Sequence, residues 1–397
     1  MWISKSRGLQ ARVVTWLILG SVSLAGLSAC LGLVGGRQQE QVQARLVPQA
    51  KPAHLSGFQR AEGPRTLSFP ADHGPHNDFQ TEWWYFTGNL SSADGRHFGY
   101  QLTFFRRALL PPALIAQRQS AWGTSQAYMA HFALTDVDDQ RYQAFERLAR
   151  GAAGLAGAQA DPFQVWLEDW RVEMLEPGIY RLYAAQAGTL LDITLVDNKG
   201  PILQGDHGYS RKGPESGQAS FYYSLTRLVS SGTLQHNGSR WAVEGQSWMD
   251  HEFSTSVLAS DQIGWDWFSI QLDDGSELMV FQIRKADGSI DPFSSGALVA
   301  PDGSLQHLSR QDFEIEVLSN WKSPRTQASY PASWRLSVPV VGLDLRIEPY
   351  LADQELDVSY AYWEGCVHVQ GSRSGQPVQG DGYVELTGYA GSMAGEF

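Results

Sequence analysis

The sequence predicts an all-β fold, organised as two antiparallel β domains in tandem, and three observations carry that prediction. The first is composition: 397 residues hold 40 Gly and 14 Trp, with 12% aromatic and only 18% charged residues, a balance that suits a Gly-turned, aromatic-rich β protein better than a helical one. The second is punctuation. From Phe58 onward, short apolar-aromatic runs are separated by Asp94-Gly95, Asn237-Gly238, Asp274-Gly275, Asp287-Gly288 and Asp302-Gly303, the spacing of hairpins in a barrel or sandwich. The third is an internal echo: "WWYFTGNLSSADG" from Trp83 resembles "WDWFSIQLDDG" from Trp265, with an Asp-Gly turn in both and then Tyr100-Gln101-Leu102 against Phe281-Gln282-Ile283. Two copies of one hairpin suggest two copies of one domain. Chance similarity between aromatic hairpins is the alternative, and the place of each hairpin in the fold decides between them.

The chain opens on a targeting signal. Lys5, Arg7 and Arg12 precede an apolar run from Val13 through Leu27, followed by Leu27-Ser28-Ala29-Cys30, the order of a secretory signal ending in what resembles a bacterial lipobox. On that reading residues 1–29 are removed and Cys30 carries lipid. The other reading is an uncleaved anchor, because the uncharged stretch continues to Gly36 and reaches the ~20 residues a bilayer requires. Gly and Ser dilute the run, and the Cys sits where cleavage would occur, which favours the lipoprotein. Both readings leave the body exported, facing the periplasm or the cell exterior.

The polar, Gln-rich stretch that follows completes a tether over 30–57. The first domain is expected over 58–252 and the second over 253–397. Gly151 to Ala160, "GAAGLAGAQA", reads as a flexible loop because of its glycines. Cys30 and Cys366 are the two cysteines; with Cys30 lipidated, Cys366 has no intrachain partner, and the fold relies on its core. The net charge of −12 becomes −15 once the three basic residues of 1–29 are removed. Such a surface repels phosphate backbones, so nucleic acid is not an expected partner.

The run Trp83-Trp84-Tyr85-Phe86 puts large aromatics on both sides of one strand. One side would fill a core and the other would line a binding surface. The densest polar cluster is "VEGQSWMDHEFSTS", Val243 to Ser256. As a strand it places Gln246, Trp248, Asp250 and Glu252 on one face, and Met249, His251 and Phe253 on the other. If the first face lines a cavity, apolar walls beside Trp248 could raise one carboxyl enough to make it a general acid; if it meets water, the carboxylates are ordinary charges and His251 is a core residue. In "YMAHFALTD", alternation puts His131 on the side of Met129 and Ala133, where a satisfied core histidine and a site residue are both open. His73, His76 and Asp78 in "DHGPHND" are a weak metal pattern, and no metal or cofactor is expected. There is no Gly-x-Ser-x-Gly elbow, phosphate loop or convincing dinucleotide fingerprint, which disfavours serine hydrolases, nucleotide enzymes and dehydrogenases.

Taken together, "HNDFQTEWWYFTGNL", "AHFALTD", "FYYSLTRL", "WMDHEF", "GWDWFSIQLDDG" and "YWEGCVHVQG…GDGYVELTGY" resemble the family of the AttH proteins and the carotenoid 1,2-hydratases (hydroxyneurosporene synthases), whose exported members are called predicted secreted hydrolases. The resemblance spans Phe69 to Tyr389. It implies two tandem lipocalin-like β-barrels and a hydrophobic, polyene or lipid-like ligand. Hydration in the characterised members protonates a terminal C=C and lets water capture the cation, which requires a neutral carboxylic acid in an apolar pocket and aromatic faces around it. Asp250, Glu252 and His251 are the catalytic candidates; Trp83, Trp84, His131, Trp248, Trp265 and Trp267 are the ligand-binding ones. Where the family commonly has Trp after Asp-His-Glu/Asn, this chain has Phe253, so its aromatic wall is altered.

Three functions fit these residues: a lipid-tethered carrier of an apolar molecule serving an envelope transporter of the ABC type, a hydratase or hydrolase using Asp250 or Glu252 as acid, and an envelope protein with packed barrels. A titratable carboxylate in a closed apolar pocket favours the enzyme. The closeness of "WMDHEF" and "GWDWF" to the domain boundary puts the expected pocket at the barrel–barrel junction.

Overall fold

The structure is a computed structural model and describes residues 57–115, 120, 122–256 and 258–393. The expected signal segment, Cys30 and the tether through Ser56 lie outside the described residues.

Two antiparallel sheets make up the body, each curled into a near-barrel. The path through the first runs Arg141–Arg150, Gln126–Asp136, His97–Ala108, Thr81–Ser92, Ser239–Ser254, Ala219–His236, Thr189–Asp197, Ile179–Gln186, Trp170–Glu176, Phe163–Leu167 and Ala156–Ala160. Two short strands, Ile202–Leu203 and Tyr209–Arg211, add to Ala219–His236. The second runs Leu305–Ser309, Ser295–Val299, Glu277–Lys285, Gln262–Leu272, Gln376–Leu386, Ala361–Arg373, Leu343–Pro349, Ser329–Val338 and Glu314–Lys322, with Glu355–Asp357 added to Ala361–Arg373. The chain leaves the first sheet at Ser254 and enters the second at Gln262.

The Asp-Gly and Asn-Gly pairs act as turns because Gly tolerates positive φ. Gly95, Gly238, Gly275, Gly288 and Gly303 all have φ between +79° and +88°. The two echoing hairpins hold equivalent places: Thr81–Ser92 pairs with His97–Ala108 and with the late strand Ser239–Ser254, while Gln262–Leu272 pairs with Glu277–Lys285 and with the late strand Gln376–Leu386. That equivalence is what two copies of one hairpin predict.

One expectation is corrected. Within Gly151 to Ala160, the segment Ala156–Ala160 is a strand paired with Phe163–Leu167, not a loop. A Cβ at Gly157 would lie 2.5 Å from the Trp166 ring, so this glycine serves close packing against an indole rather than freedom.

Alternation then sorts the aromatic run. Trp84 and Phe86 join Tyr100, Leu102, Phe132, Leu134, Trp170 and Met249 in the first sheet's core. The second sheet closes on Phe268, Ile270, Trp334, Leu345 and Trp363. A third apolar cluster, Tyr85, Tyr222, Trp248, Trp267, Met279, Phe281, Ile283, Cys366 and Tyr383, draws residues from both sheets. The curled sheets therefore pack against each other through their outer faces, and the question raised by four adjacent aromatics resolves into two cores.

Candidate functional site

A cavity of ≈ 130 Å³ lies in the seam between the sheets, about ten times the room one water needs. The first sheet supplies Trp83, Tyr85, Phe105, Tyr222, Asp250 and Glu252 to its walls; the second supplies Trp267, Phe281 and Glu385, among others. Each residue reaches the seam by strand alternation, because Tyr85 lies opposite Asp250, Trp83 opposite Glu252 and Tyr222 opposite Glu252 across the ladders.

Asp250 is buried. Its Oδ1 accepts from Trp248 Nε1 at 2.7 Å and Ser224 Oγ at 2.5 Å, and its Oδ2 faces Tyr222 Oη at 2.6 Å. Tyr222 Oη also accepts from Trp267 Nε1 at 3.1 Å. Burial pushes the Asp250 carboxyl up to about 7 against its three hydrogen bonds, and the charge of Glu252 adds to the rise. In the neutral acid the Oδ2 proton is donated to Tyr222 Oη, which leaves the phenol's own proton free to point into the pocket. Asp250 and Tyr222 are hydrogen-bonded to each other and both line the pocket, an arrangement through which a proton can pass toward it.

A second acid pair comes from the other sheet. Glu364 and Glu385 lie directly opposite each other on neighbouring strands. Glu385 borders the pocket and accepts from Trp265 Nε1 at 2.8 Å; burial pushes it up to about 7, with Asp250 and Glu252 contributing. Glu364 accepts from Tyr85 Oη at 2.5 Å, and burial, reinforced by Glu385, carries it well above the ordinary carboxylate range. Two carboxyls in one low-dielectric site cannot both ionise cheaply. At the rim, Lys212 Nζ sits 3.3 Å from Glu252 and 4.2 Å above the Phe281 ring.

Behind the seam, on the inner face of the first sheet, a separate polar network is fully buried. Tyr180 Oη faces His73 Nε2 at 3.2 Å, His73 Nδ1 faces Tyr223 Oη at 2.7 Å, Tyr223 Oη faces His251 Nδ1 at 3.0 Å, and His251 Nε2 faces Glu82 Oε1 at 2.8 Å. One direction of donation satisfies every atom: each hydroxyl or ring N–H donates onward, ending at the carboxylate. Burial keeps His251 neutral and drives His73 down to about 3. Burial alone would raise Glu82, but Arg106, then His251 and His76, hold it well below its ordinary range. His76 is raised by Asp72 and Glu82 despite its burial.

Among the described residues, His76, Glu82 and His251 bring donor atoms within 4.8 Å of one another, as metal ligands would be. His76 Nδ1 and His251 Nε2 lie 2.7 Å and 2.8 Å from Glu82 Oε1, at hydrogen-bonding distance, and Arg106 Nε donates to Oε2 at 2.7 Å. Of the loop residues His73, His76 and Asp78, only His76 is in this donor cluster, and His73 reaches it through Tyr223 and His251.

A family model described as AttH-like matches residues 60–389, nearly the whole described body. The chain belongs to the AttH-like family. An AttH protein of Nitrosomonas europaea, known from its crystal structure, is 36% identical to this AttH-like chain, with 84% of this chain and 100% of that one covered and a TM-score of 0.74. Kievitone hydratase of Nectria haematococca shares the fold at 14% identity, 84% and 98% coverage and a TM-score of 0.64. No curated protein matches the AttH-like chain by sequence.

The structure brings Asp250, Glu252, Trp83, Trp265 and Trp267 to one pocket, with Trp248 bonded to Asp250 behind it. His251 and Trp84 do not reach it: they stack on each other, ring centroids 4.9 Å apart, on the inner face. His131 stands one layer back, its Nδ1 2.8 Å from the hydroxyl of the pocket residue Tyr362 and its Nε2 3.2 Å from Glu146. Cys30 lies outside the described residues. In this AttH-like chain, sequence reasoning missed Tyr222, Ser224, Glu364 and Glu385 as site residues. The signal was available, since alternation within "FYYSLTRL", "YWEGC" and "YVELTGY" puts these side chains on the face opposite the core residues Tyr223, Trp363 and Val384.

Proposed function

We propose that this protein binds an apolar, unsaturated small molecule, polyene or lipid-like, in the seam between its sheets and adds water across one of its double bonds. The observation that carries the reading is Asp250, a carboxyl raised to about 7 by burial and linked through Tyr222 to a pocket walled by indoles and phenols. General acids work best with a pKa near the operating pH, and aromatic faces stabilise a developing cation. In the step, a proton delivered through the Asp250–Tyr222 relay forms the new C–H bond at the expense of the C=C π pair. Water forms the C–O bond at the cationic carbon, and its surplus proton passes to the Glu385 carboxylate. Asp250 is left ionised and Glu385 neutral; with both near 7, exchange with solvent restores the starting state. The likeness to kievitone hydratase carries the fold and not the reaction, so the reaction rests on the pocket.

The same reading places the protein on the outer side of a membrane, held by lipid on Cys30, where an apolar ligand partitions and an envelope transporter could supply it. The second reading is a non-catalytic carrier, favoured by the aromatic surface of the pocket. The experiment that separates them is mass spectrometry of the organic extract of protein purified from its own membranes, for wild type and Asp250→Asn. The proposal expects an unsaturated ligand in the variant and its hydrated form, heavier by one water, in the wild type. The same unaltered molecule from both proteins supports the carrier and refutes hydration.

A further inference from the structure

Strand alternation lays the seam out in three rows. The pocket row holds Tyr85, Thr103 and Asp250 from the first sheet and Trp267, Glu385 and Glu364 from the second. Two residues along every strand, the middle row holds Thr87, Gln101, Trp248, Ser269, Tyr383 and Cys366. Two residues further, Asn89, Gln246, Gln271, Asp381 and His368 form the third row. This last row lines a second cavity of ≈ 760 Å³, a polar cleft that opens on the far side of the seam. The apolar pocket and the polar cleft are therefore separated by one layer of side chains.

That layer is not apolar throughout. Thr87 Oγ1, Gln101 Oε1 and Tyr383 Oη are buried, and none has a hydrogen-bond partner among the described residues; the same holds for Glu364 Oε2 in the pocket row and Gln246 Oε1 in the cleft row. Thr87, Gln101, Tyr383 and Glu364 are at most 1% exposed. Buried polar atoms are satisfied by protein or by bound water in the great majority of cases, because an orphaned one forfeits the hydrogen bonds it makes in water. Here the orphans occur in all three rows: Glu364 in the pocket row, Thr87, Gln101 and Tyr383 in the middle row, and Gln246 in the cleft row. Rows two residues apart are separated by about 6.6 Å, a step that one or two waters bridge.

We propose that a file of bound waters threads the middle row along Thr87, Gln101 and Tyr383, joining the polar cleft to the Glu364–Glu385 end of the apolar pocket. Its use in the reaction rests on the hydratase reading: an apolar ligand filling the pocket bars water from that side, and the file supplies the water that adds to the cation from the opposite side, next to the carboxylate that takes its proton. Thr87 and Tyr383, which do not line the pocket, act as positioning residues that hold water, and Gln101, which borders the pocket, holds it where the file meets the ligand space.

The file itself is tested without any ligand. A high-resolution crystal structure of the full chain is expected to contain ordered water within hydrogen-bonding distance of at least two of Thr87 Oγ1, Gln101 Oε1, Tyr383 Oη and Glu364 Oε2; direct bonds among these atoms, or no water beside them, overturn the proposal. In solution, oxygen-17 magnetic relaxation counts long-lived internal waters. Thr87→Val combined with Tyr383→Phe, two near-isosteric changes, is expected to lose at least one such water relative to wild type, and an unchanged count overturns the file. The outcome is independent of the Asp250→Asn extraction: waters present with hydration refuted leave the file standing alone, and hydration upheld with the four atoms dry removes only the file.

Discussion

Replacing Asp250 by Asn turns the central electrostatic argument into a stability measurement. Burial raises the carboxyl from an ordinary 3.8 to about 7, roughly three pH units, and each unit is worth about 1.4 kcal/mol. A carboxyl whose folded pKa is raised contributes stability that is fully present below its unfolded value and is lost as pH rises through its folded value. Between pH 4 and 8, Asp250 alone therefore removes about 4 kcal/mol from the wild type, on the order of 1.4 kcal/mol per unit. Asn reproduces the neutral acid's hydrogen bonds: its oxygen accepts from Ser224 and Trp248, and its NH₂ donates to Tyr222. The variant is thus expected to match the wild type near pH 4 and to exceed it by about 4 kcal/mol at pH 8. Loss of the Asp250 charge also eases ionisation of Glu385, which acts in the same direction. Urea denaturation at half-unit pH steps with linear extrapolation reads the difference. Two curves that stay parallel to within about 1 kcal/mol would show that Asp250 titrates as an ordinary surface carboxylate, and the general-acid argument would fall.

Three further outcomes follow from the same structure. Glu82→Gln leaves the Arg106 guanidinium in the core without its counter-charge, while His76 keeps only Asp72, a loss expected to cost about 3–5 kcal/mol in urea unfolding. Because Glu82 is held well below its ordinary range, its stabilisation is present above the unfolded pKa and lost in acid; the acid limb of the stability curve should flatten in the variant, and an unaltered limb would refute the ion-pair account. Gly99 faces Cys366 of the second sheet, an added Cβ falling 2.6 Å from Cys366 Cβ; Gly99→Ala should cost about 1–3 kcal/mol through overpacking, with partial recovery in the Gly99→Ala/Cys366→Gly double variant. The Cys366 thiol, fully buried and pushed up to about 12 by that burial, should react with iodoacetamide no faster than the protein unfolds, as peptide mapping will read; rapid native-state alkylation would mean an open seam.

Composition, turn pairs and the echo of Trp83 in Trp265 determined an all-β chain with two equivalent hairpins, because these signals are local: Gly sets a positive φ wherever it stands, and alternation divides a strand's faces without reference to its neighbours. The motifs carried the AttH-like resemblance for the same reason. Alternation also separated Asp250 and Glu252 from His251, but it could not say which face was the pocket, since both faces of this strand are buried. The small residues of Gly151 to Ala160 misled because Gly157 makes room for Trp166, a contact from the neighbouring strand that no local propensity encodes. What only the tertiary structure decided is the seam. Tyr222 meets Trp267 there, Tyr85 meets Glu364, and Asp250 comes to face Glu385 from 135 residues away in sequence; the raised carboxyls exist because two curled sheets exclude water from their common face, and desolvation belongs to that packing and to no single stretch of the chain.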